Sequence, residues 1–346
     1  MFLTCCFIVF TASSANWSVK STTADANLRG VAVVVRQGGT TIWATGSKGT
    51  IVRSTDSGNS WQRLYIPDVE TLDFRGVQSF DGITAYVMSS GEGEKSRIYK
   101  TTNAGNSWEL QYTGQSKSFF LDALACADDT HCFALSDPVE GKFLILATED
   151  GAHWHELPRE HMPAALPNEG AFAASNSSLL LFGKQELYFA TGGPAARVFH
   201  SRDLGRTWSV AETPLQSGKA SQGIFSIVRA GDTVVVVGGD YSHADLSGKT
   251  AAYSSDGGTT WQLSREPPSG FRSAVGTCNS GFFAVSPNGA DSSSNGIHWT
   301  RMDSPSLNAI TFSSGQGWAV GPKGTAARFL EQSNLPPPRE GNSGPT

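Results

Sequence analysis

The amino-acid sequence predicts an all-β fold, a β-propeller of seven blades in which each blade is a sheet of four antiparallel strands. Three observations predict it. The phrase S/T-x-D/N-(x)-G-x-x-W occurs six times. The tryptophans that end the phrase lie 38 to 54 residues apart, which matches the length of a four-stranded blade. The two ends of the chain each carry the part of a blade that the other end lacks.

The repeated phrase has the residue types of a tight turn between two strands. Its Asp or Asn side chain can accept hydrogen bonds from backbone N–H groups further along, and its Gly can adopt positive φ. The Trp begins the returning strand and supplies a large apolar surface for packing. We predict a structural role for the Asp or Asn of each copy, namely Asp56, Asn103, Asp150, Asp203, Asp256 and Asn295.

The chain ends predict how the ring closes. Trp17 resembles a blade-ending tryptophan, but no turn phrase precedes it. Residues 307–329 have the pattern of three strands, and no fourth strand follows them. We therefore predict that the N-terminal strand completes the last blade, which removes the free sheet edges.

Residues 1–15, MFLTCCFIVFTASSA, form an apolar run that ends in small residues, which predicts a signal peptide. A buried first strand is the alternative. We expect a periplasmic or secreted protein with a single propeller over residues 16–332. The Pro/Gly-rich residues 333–346 predict a disordered tail.

Composition narrows the expected ligands. The net charge is −5 and there is no Lys/Arg-rich run, which argues against nucleic acid as a partner. No apolar stretch after the N-terminus is long enough to span a membrane. Cys126 and Cys132 flank a short polar turn, so they can form a disulfide in an oxidising compartment or remain two free thiols. We expect a monomer with no metal and no cofactor.

The repeated phrase resembles the Asp-box of sialidase-like and BNR-repeat β-propellers. Two longer stretches, "LRGV…IWATGSKGTIVRSTDSGNSW" and "LNAITF…GWAVGPKGT", resemble the photosystem II assembly factor family (Ycf48/HCF136-like), in particular its bacterial branch. The resemblance covers about residues 16–330. It implies that the boxes lie on the rim of the propeller, away from the ligand face, and it implies a binding or assembly role.

Charged residues outside the boxes fall at strand ends or at the starts of inner strands, positions that propellers gather around the mouth of the central channel. Long segments at 155–172 and 211–225 predict large loops in blades four and five. Guanidinium groups bind carboxylates or acidic sugars bidentately, whereas an ion-pair network lining the channel is the structural alternative. The predicted binding residues are Arg29, Arg75, Asp137, Glu169, Asp240, Tyr241 and Arg272.

No catalytic set is recognisable. The Arg-Ile-Pro phrase of sialidases is missing, as are the Gly-x-Gly-x-x-Gly, Walker and Gly-x-Ser-x-Gly motifs. We therefore predict no catalytic residues and an exported binding or assembly scaffold whose partner is another protein or an acidic carbohydrate. The alternative is a glycoside hydrolase or lyase that acts on an acidic sugar at the channel mouth.

Overall fold

The computed structural model describes residues 17–330, and these form seven sheets arranged as the blades of a propeller. The predicted all-β, seven-bladed propeller is confirmed. The predicted signal peptide and tail lie outside the described residues. Within residues 17–330, no helix is long and apolar enough to cross a membrane.

The chain begins with β1 (Trp17–Ser21), and the blades then follow in chain order. Blade 1 consists of β2 (Leu28–Arg36), β3 (Gly39–Gly46), β4 (Thr50–Ser54) and β5 (Gln62–Leu64). Blade 2 consists of β6 (Asp73–Ser79), β7 (Ala85–Ser90), β8 (Arg97–Thr101) and β9 (Glu109–Thr113). Blade 3 consists of β10 (Leu121–Cys126), β11 (Cys132–Val139), β12 (Lys142–Thr148) and β13 (His155–Glu156).

Blade 4 consists of β14 (Leu179–Phe182), β15 (Glu186–Ala190), β17 (Arg197–Ser201) and β18 (Ser209–Glu212). Blade 5 consists of β19 (Lys219–Ala230), β20 (Thr233–Asp240), β21 (Ala251–Ser254) and β22 (Gln262–Leu263), with β16 (Gly192–Gly193) added at its inner edge. Blade 6 consists of β23 (Ala274–Cys278), β24 (Gly281–Ser286), β25 (Gly289–Ser293) and β26 (Thr300–Met302). Blade 7 consists of β27 (Ala309–Ser313), β28 (Gln316–Val320), β29 (Thr325–Phe329) and β1.

The N-terminal strand closes the ring. Strand β1 pairs antiparallel with β29, from Trp17 opposite Phe329 to Ser21 opposite Thr325. The Trp17 ring meets the Phe329 ring edge to face at 5.2 Å. The last blade is therefore completed by the other end of the chain, as the sequence predicts.

The repeated turns are held by the hydrogen bonds that their residue types favour. In the first copy, Asp56 Oδ1 accepts from the Ser60 N–H at 2.8 Å, and Ser54 Oγ accepts from the Gly58 N–H at 2.9 Å. Hydrogen bonds from Ser60 lower the pKa of Asp56 to about 2. The corresponding Asp or Asn in each of the other five copies also accepts a hydrogen bond from the turn backbone, as seen at Asn103, Asp150, Asp203, Asp256 and Asn295.

Each turn lies against the blade before it. Gly58 has φ of 79°, and a Cβ atom there would overlap the Trp318 ring of blade 7. The Trp61 ring, which follows that turn, meets the same Trp318 ring edge to face at 6.3 Å. The other turn glycines approach the preceding blade in the same way: Gly105 at Leu64, Gly151 at Tyr86, Gly205 at Leu157, Gly258 at Tyr188 and Gly296 at Val235.

The apolar core is divided among the interfaces between blades. Seven clusters of buried side chains each join two neighbouring blades, so all seven interfaces are filled. Trp43 and Trp318 are fully buried in two of them. The ring is therefore stabilised by the packing of blade on blade.

A crossing segment, residues 171–178, leads into β14 and contacts the inner strands of other blades. Ser175 Oγ donates to the Ser273 carbonyl beside blade 6 at 2.7 Å, and the Ser177 carbonyl accepts from the Ile227 N–H of blade 5 at 2.9 Å. Asn176 bonds both the N–H and the carbonyl of residue 124 in blade 3, at 2.8 and 3.0 Å. A segment with these contacts must lie across the central channel.

A disulfide joins Cys126 at the end of β10 to Cys132 at the start of β11. Cys278 is a free cysteine in the structure.

The contact at Gly58 can be separated from its backbone strain by comparing Gly58→Ala with Gly315→Ala. Gly315 has a similar φ of 76°, but a Cβ atom there meets nothing within 4 Å. We expect Gly315→Ala to lower the free energy of unfolding by about 1–2 kcal/mol through strain, and Gly58→Ala to lower it by a further ~1–3 kcal/mol through overlap with Trp318. Urea unfolding measures both values; equal losses would contradict the role of the contact.

Candidate functional site

A cavity of about 500 Å³ opens at the ends of the blades where the inner strands begin. Inner and third strands of a blade run in the same direction, so the repeated turns that follow the third strands lie on the opposite face. Blades 1, 2, 3, 5, 6 and 7 contribute to the lining, and the crossing segment that leads into blade 4 also faces the cavity. The lining residues are Arg29, Arg75, Phe120, Asp122, Asp137, residues 171–174, Phe225, Tyr241, Ala244, Phe271, Ser273, Pro287, Asn288 and Asn308.

Four β-bulges direct side chains into this cavity. The pairing of the inner strand with its neighbour skips one residue near the start of β2, β6, β10 and β19. A bulged residue leaves the ladder, and its side chain is aimed differently from those of the paired residues. The four skipped residues are Arg29, Arg75, Asp122 and Phe225, and all four line the cavity.

Four of the seven predicted binding residues line the cavity: Arg29, Arg75, Asp137 and Tyr241.

The other three predicted binding residues do not line it, because their side chains are engaged elsewhere. Arg272 is 1% exposed and its Nε donates to Asp291 Oδ2 at 2.7 Å. Glu169 is buried, and Oε1 accepts from Arg197 Nε at 2.8 Å. The prediction that all seven residues converge at the channel mouth is therefore wrong for Arg272, Glu169 and Asp240. The structural alternative, an ion pair, describes Arg272 and Glu169.

Asp240, the third, is also buried and forms hydrogen bonds within its own blade. It accepts from Gln222 Nε2 at 3.0 Å and from the Ser242 N–H at 2.9 Å. These bonds lower its pKa to about 2, although burial works in the opposite direction. The carboxylate shapes the start of the loop that carries Tyr241.

One side of the cavity is an aromatic wall, made of Phe172, Phe225, Tyr241 and Phe271. The Phe172 and Phe225 rings stack at 3.7 Å, and Phe271 meets Phe225 edge to face at 4.7 Å. Tyr241 stands edge to face with Phe225 at 6.0 Å and is 54% exposed. The sequence analysis identified only Tyr241 of these four, because isolated phenylalanines in a sheet protein resemble core residues.

The two arginines of the cavity differ in their partners. Arg75 Nε donates to Asp73 Oδ2 at 2.8 Å, and its Nη1 donates to the Ala173 carbonyl at 3.1 Å. Arg29 Nη1 donates to the Ala174 carbonyl at 3.2 Å, but no carboxylate among residues 17–330 forms an ion pair with it. Burial and the neighbouring Arg75 charge lower the pKa of Arg29, although an arginine stays charged at neutral pH.

Two carboxyl groups, Asp122 and Asp137, face the same cavity. Asp122 is 1% exposed, and neither of its oxygens has a hydrogen-bond partner among the described residues. Burial, assisted by the charge of Asp137, raises the pKa of Asp122 well above its usual range. Burial also raises the pKa of Asp137 to about 6, although its Oδ1 accepts from the Ala171 N–H at 2.9 Å.

Sequence reasoning missed Asp122, although a signal for it existed. At or just before the inner strand, four blades have an apolar residue followed by a polar one: Leu28-Arg29, Phe74-Arg75, Leu121-Asp122 and Leu307-Asn308. All four of these polar residues line the cavity.

A family model described as the DUF6242 beta propeller domain matches residues 11–279 of the chain. No match is found among curated proteins. Three solved structures are similar to this one: "YCF48 bound to D1 peptide" (TM-score 0.64, 15% identity, 92% of this chain and 98% of that chain); YCF48 from Cyanidioschyzon merolae (0.63, 15%, 91% and 99%); and virginiamycin B lyase from Staphylococcus aureus (0.63, 14%, 91% and 99%). At these identities the similarity shows the fold alone.

The raised pKa of Asp137 predicts the pH dependence of one variant. The folded protein favours the neutral carboxyl, so ionisation of Asp137 costs stability increasingly as the pH rises through 4 to 6. We expect Asp137→Asn to raise the free energy of unfolding at pH 7.5 by about 1–2 kcal/mol, and this gain to shrink toward zero as the pH is lowered to 4.5. Urea unfolding at both pH values tests this. The exposed Asp68→Asn is the control, and a gain that is independent of pH would contradict the prediction.

The two kinds of arginine should respond differently to truncation. Arg272→Ala leaves Asp291 as a buried, unpaired carboxylate, so we expect a loss of about 3–5 kcal/mol in the free energy of unfolding. Arg29→Ala removes a partly buried cation that has no carboxylate partner among residues 17–330, and we expect a change of about 1 kcal/mol or less. Thermal and urea unfolding of both variants give the comparison. Similar losses in the free energy of unfolding would show that Arg29 stabilises the fold, as Arg272 does.

Proposed function

We propose that this chain, which belongs to the DUF6242 β-propeller family, is an exported, non-catalytic scaffold that binds a segment of another protein in the cavity at the channel mouth.

The observation that carries this proposal is the partly buried Arg29 guanidinium, which has no carboxylate partner among residues 17–330. A buried charge is costly unless it is paired, and Arg29 has only the Ala174 carbonyl as a partner. A ligand carboxylate would supply the missing counter-charge through charge-assisted hydrogen bonds. The aromatic wall faces the same cavity, so the ligand is expected to combine an acidic group with an apolar one.

The surface around the cavity supports a macromolecular ligand. Leu246, in the same loop as Tyr241, is 53% exposed, and Leu166 is exposed beside the outer side of Asp137. Exposed apolar side chains near a concave site are typical of protein interfaces. A small molecule held inside the cavity would not need them.

The similarity to YCF48 supports a peptide as the ligand class. That protein has been solved with a D1 peptide bound, and its fold covers nearly the whole of this chain. The 15% identity carries no residue roles from one protein to the other. The YCF48 structure supports the proposal only by showing that a propeller with this fold can bind a peptide.

Export is supported by the disulfide between Cys126 and Cys132, because disulfides persist mainly in oxidising compartments. The apolar residues 1–15 agree with this location.

An acidic oligosaccharide is the second candidate ligand, favoured by one observation. Asp122 and Asp137 are two carboxyl groups of raised pKa in one cavity, and most glycosidases use a pair of carboxyl groups. If the ligand is an acidic oligosaccharide, oligogalacturonate should stabilise the protein against heat. A peptide-binding site predicts no such stabilisation.

Selection from a heptapeptide library displayed on phage tests the proposal. We expect the enriched sequences to share an acidic residue beside apolar residues. The synthetic consensus peptide should bind Arg29→Ala at least tenfold more weakly, as expected for the loss of a charged hydrogen bond worth about 1.5–3 kcal/mol. Fluorescence anisotropy measures the affinity.

Arg36→Ala is the matched control for this test, because Arg36 lies at the exposed far end of the same strand, β2. Its affinity for the peptide should equal that of the unmodified protein. Equal binding by Arg29→Ala, or no enriched sequence together with stabilisation by oligogalacturonate, would overturn the proposal.

A further inference from the structure

Asp122 is a buried acidic side chain whose hydrogen-bonding capacity is unused. It occupies a β-bulge, is 1% exposed, and neither of its oxygens has a partner among the described residues. Buried polar side chains nearly always have at least one partner, so an exception calls for a specific explanation. Because Asp122 lines the cavity, a ligand in the cavity can supply that partner.

Asp137 adds a second carboxyl group on the same side of the cavity. Asp122 follows Leu121 in β10 and Asp137 follows Ser136 in β11, and Leu121 pairs with Ser136, so the two carboxyl-bearing residues lie on adjacent strands. Asp137 Oδ1 accepts from the Ala171 N–H, whereas Oδ2 accepts no hydrogen bond among residues 17–330. By hydrogen-bond geometry, three carboxyl oxygens of the pair have no donor among residues 17–330; the two on Asp122 are almost fully covered, and the Asp137 backbone N–H also acts on the Asp122 carboxyl.

The nearby arginines form no hydrogen bond to this pair. Arg75 acts on Asp122 electrostatically, but its Nε is bonded to Asp73 and its Nη1 to the Ala173 carbonyl. Arg29 is bonded to the Ala174 carbonyl. Phe120 also lines the cavity, and an aromatic ring can attract a cation through its face.

We propose that Asp122 and Asp137 form a subsite for a basic group, an ammonium or guanidinium, carried by the bound protein segment. The inference rests on the proposed function and deepens it: the segment carries an acidic group for Arg29, a basic group for the carboxyl pair and an apolar group for the aromatic wall. A cation fits better than a hydroxyl because a positive charge favours the ionised forms of both carboxyl groups and offsets their mutual repulsion, which a neutral hydroxyl does not.

A basic ligand would change the protonation of the pair. Burial and the charge of Asp137 raise the pKa of Asp122, so the free protein favours the neutral carboxyl at this site. When an ammonium group binds, the O–H bond of Asp122 breaks, the proton leaves to solvent, and the carboxylate accepts hydrogen bonds from the ammonium. Binding therefore releases protons, and the affinity increases with pH.

The test uses isothermal titration calorimetry with two matched small probes, N-acetyl-lysine methylamide and its counterpart acetylated on Nζ, which lacks the charge. We expect the lysine probe to bind at least tenfold more tightly than the neutral one. Titrations in phosphate and in Tris, buffers with different heats of ionisation, should show proton release for the lysine probe. The proton measurement uses the unmodified protein, so it does not depend on the folding of a variant.

Asp122→Asn and Asp137→Asn should each reduce binding of the lysine probe at least tenfold, whereas the exposed Asp68→Asn should leave it unchanged. Failure of the lysine probe to bind, equal binding of the neutral probe, or binding without proton release would overturn the inference.

The phage selection separates this inference from the proposed function. Enriched peptides that contain acidic and apolar residues, and that bind Asp137→Asn as tightly as the unmodified protein, would overturn the basic subsite and leave the peptide-binding scaffold standing. Binding of the lysine probe with proton release, but with no enriched peptide, would support the subsite and count against the scaffold.

Discussion

The rest of the structure depends on the close contact between each repeated turn and the blade before it. At Gly58 the backbone has positive φ and lies directly against the Trp318 ring, so only a residue without a side chain fits. The following Trp61 packs on the same ring. Repetition of this contact sets the angle between successive blades, and pairing of β1 with β29 closes the ring after seven of them.

The propeller is stabilised at the repeated turns and at the interfaces between blades. Side chains near the starts of the inner strands are therefore not needed to stabilise the fold and can take other roles. A bulged residue is unpaired in the ladder, so its identity can vary from blade to blade without loss of sheet hydrogen bonds. The cavity uses this freedom, because equivalent bulges present arginine at 29 and 75, aspartate at 122 and phenylalanine at 225. The same β-bulge, repeated in four blades, thereby places different side chains around one cavity.

Two aspartates show how the repeated turns differ from the cavity. Asp56 in a repeated turn accepts hydrogen bonds from Ser60 that lower its pKa to about 2, so its charge stabilises the turn. Asp137 in the cavity has a pKa raised to about 6 by burial, so its charge at neutral pH costs stability. The crossing segment adds to this difference, because it lies across the channel and forms the wall of the cavity beside Asp137.

The sequence alone determined the features that depend on short-range contacts: the repeated turns, the blades between them, and the completion of the last blade by the strand at Trp17. It also placed Arg29, Arg75, Asp137 and Tyr241 at the mouth, because strand ends follow from the same repeat. Only the tertiary structure decided which charges are free to bind. Arg272 is paired with Asp291, 19 residues away, while Arg29 meets the crossing segment 145 residues away and finds no carboxylate there. The Arg272–Asp291 pair forms within blade 6, whereas Arg29 meets the crossing segment only because the ring closes, and no local pattern in the chain encodes either partner.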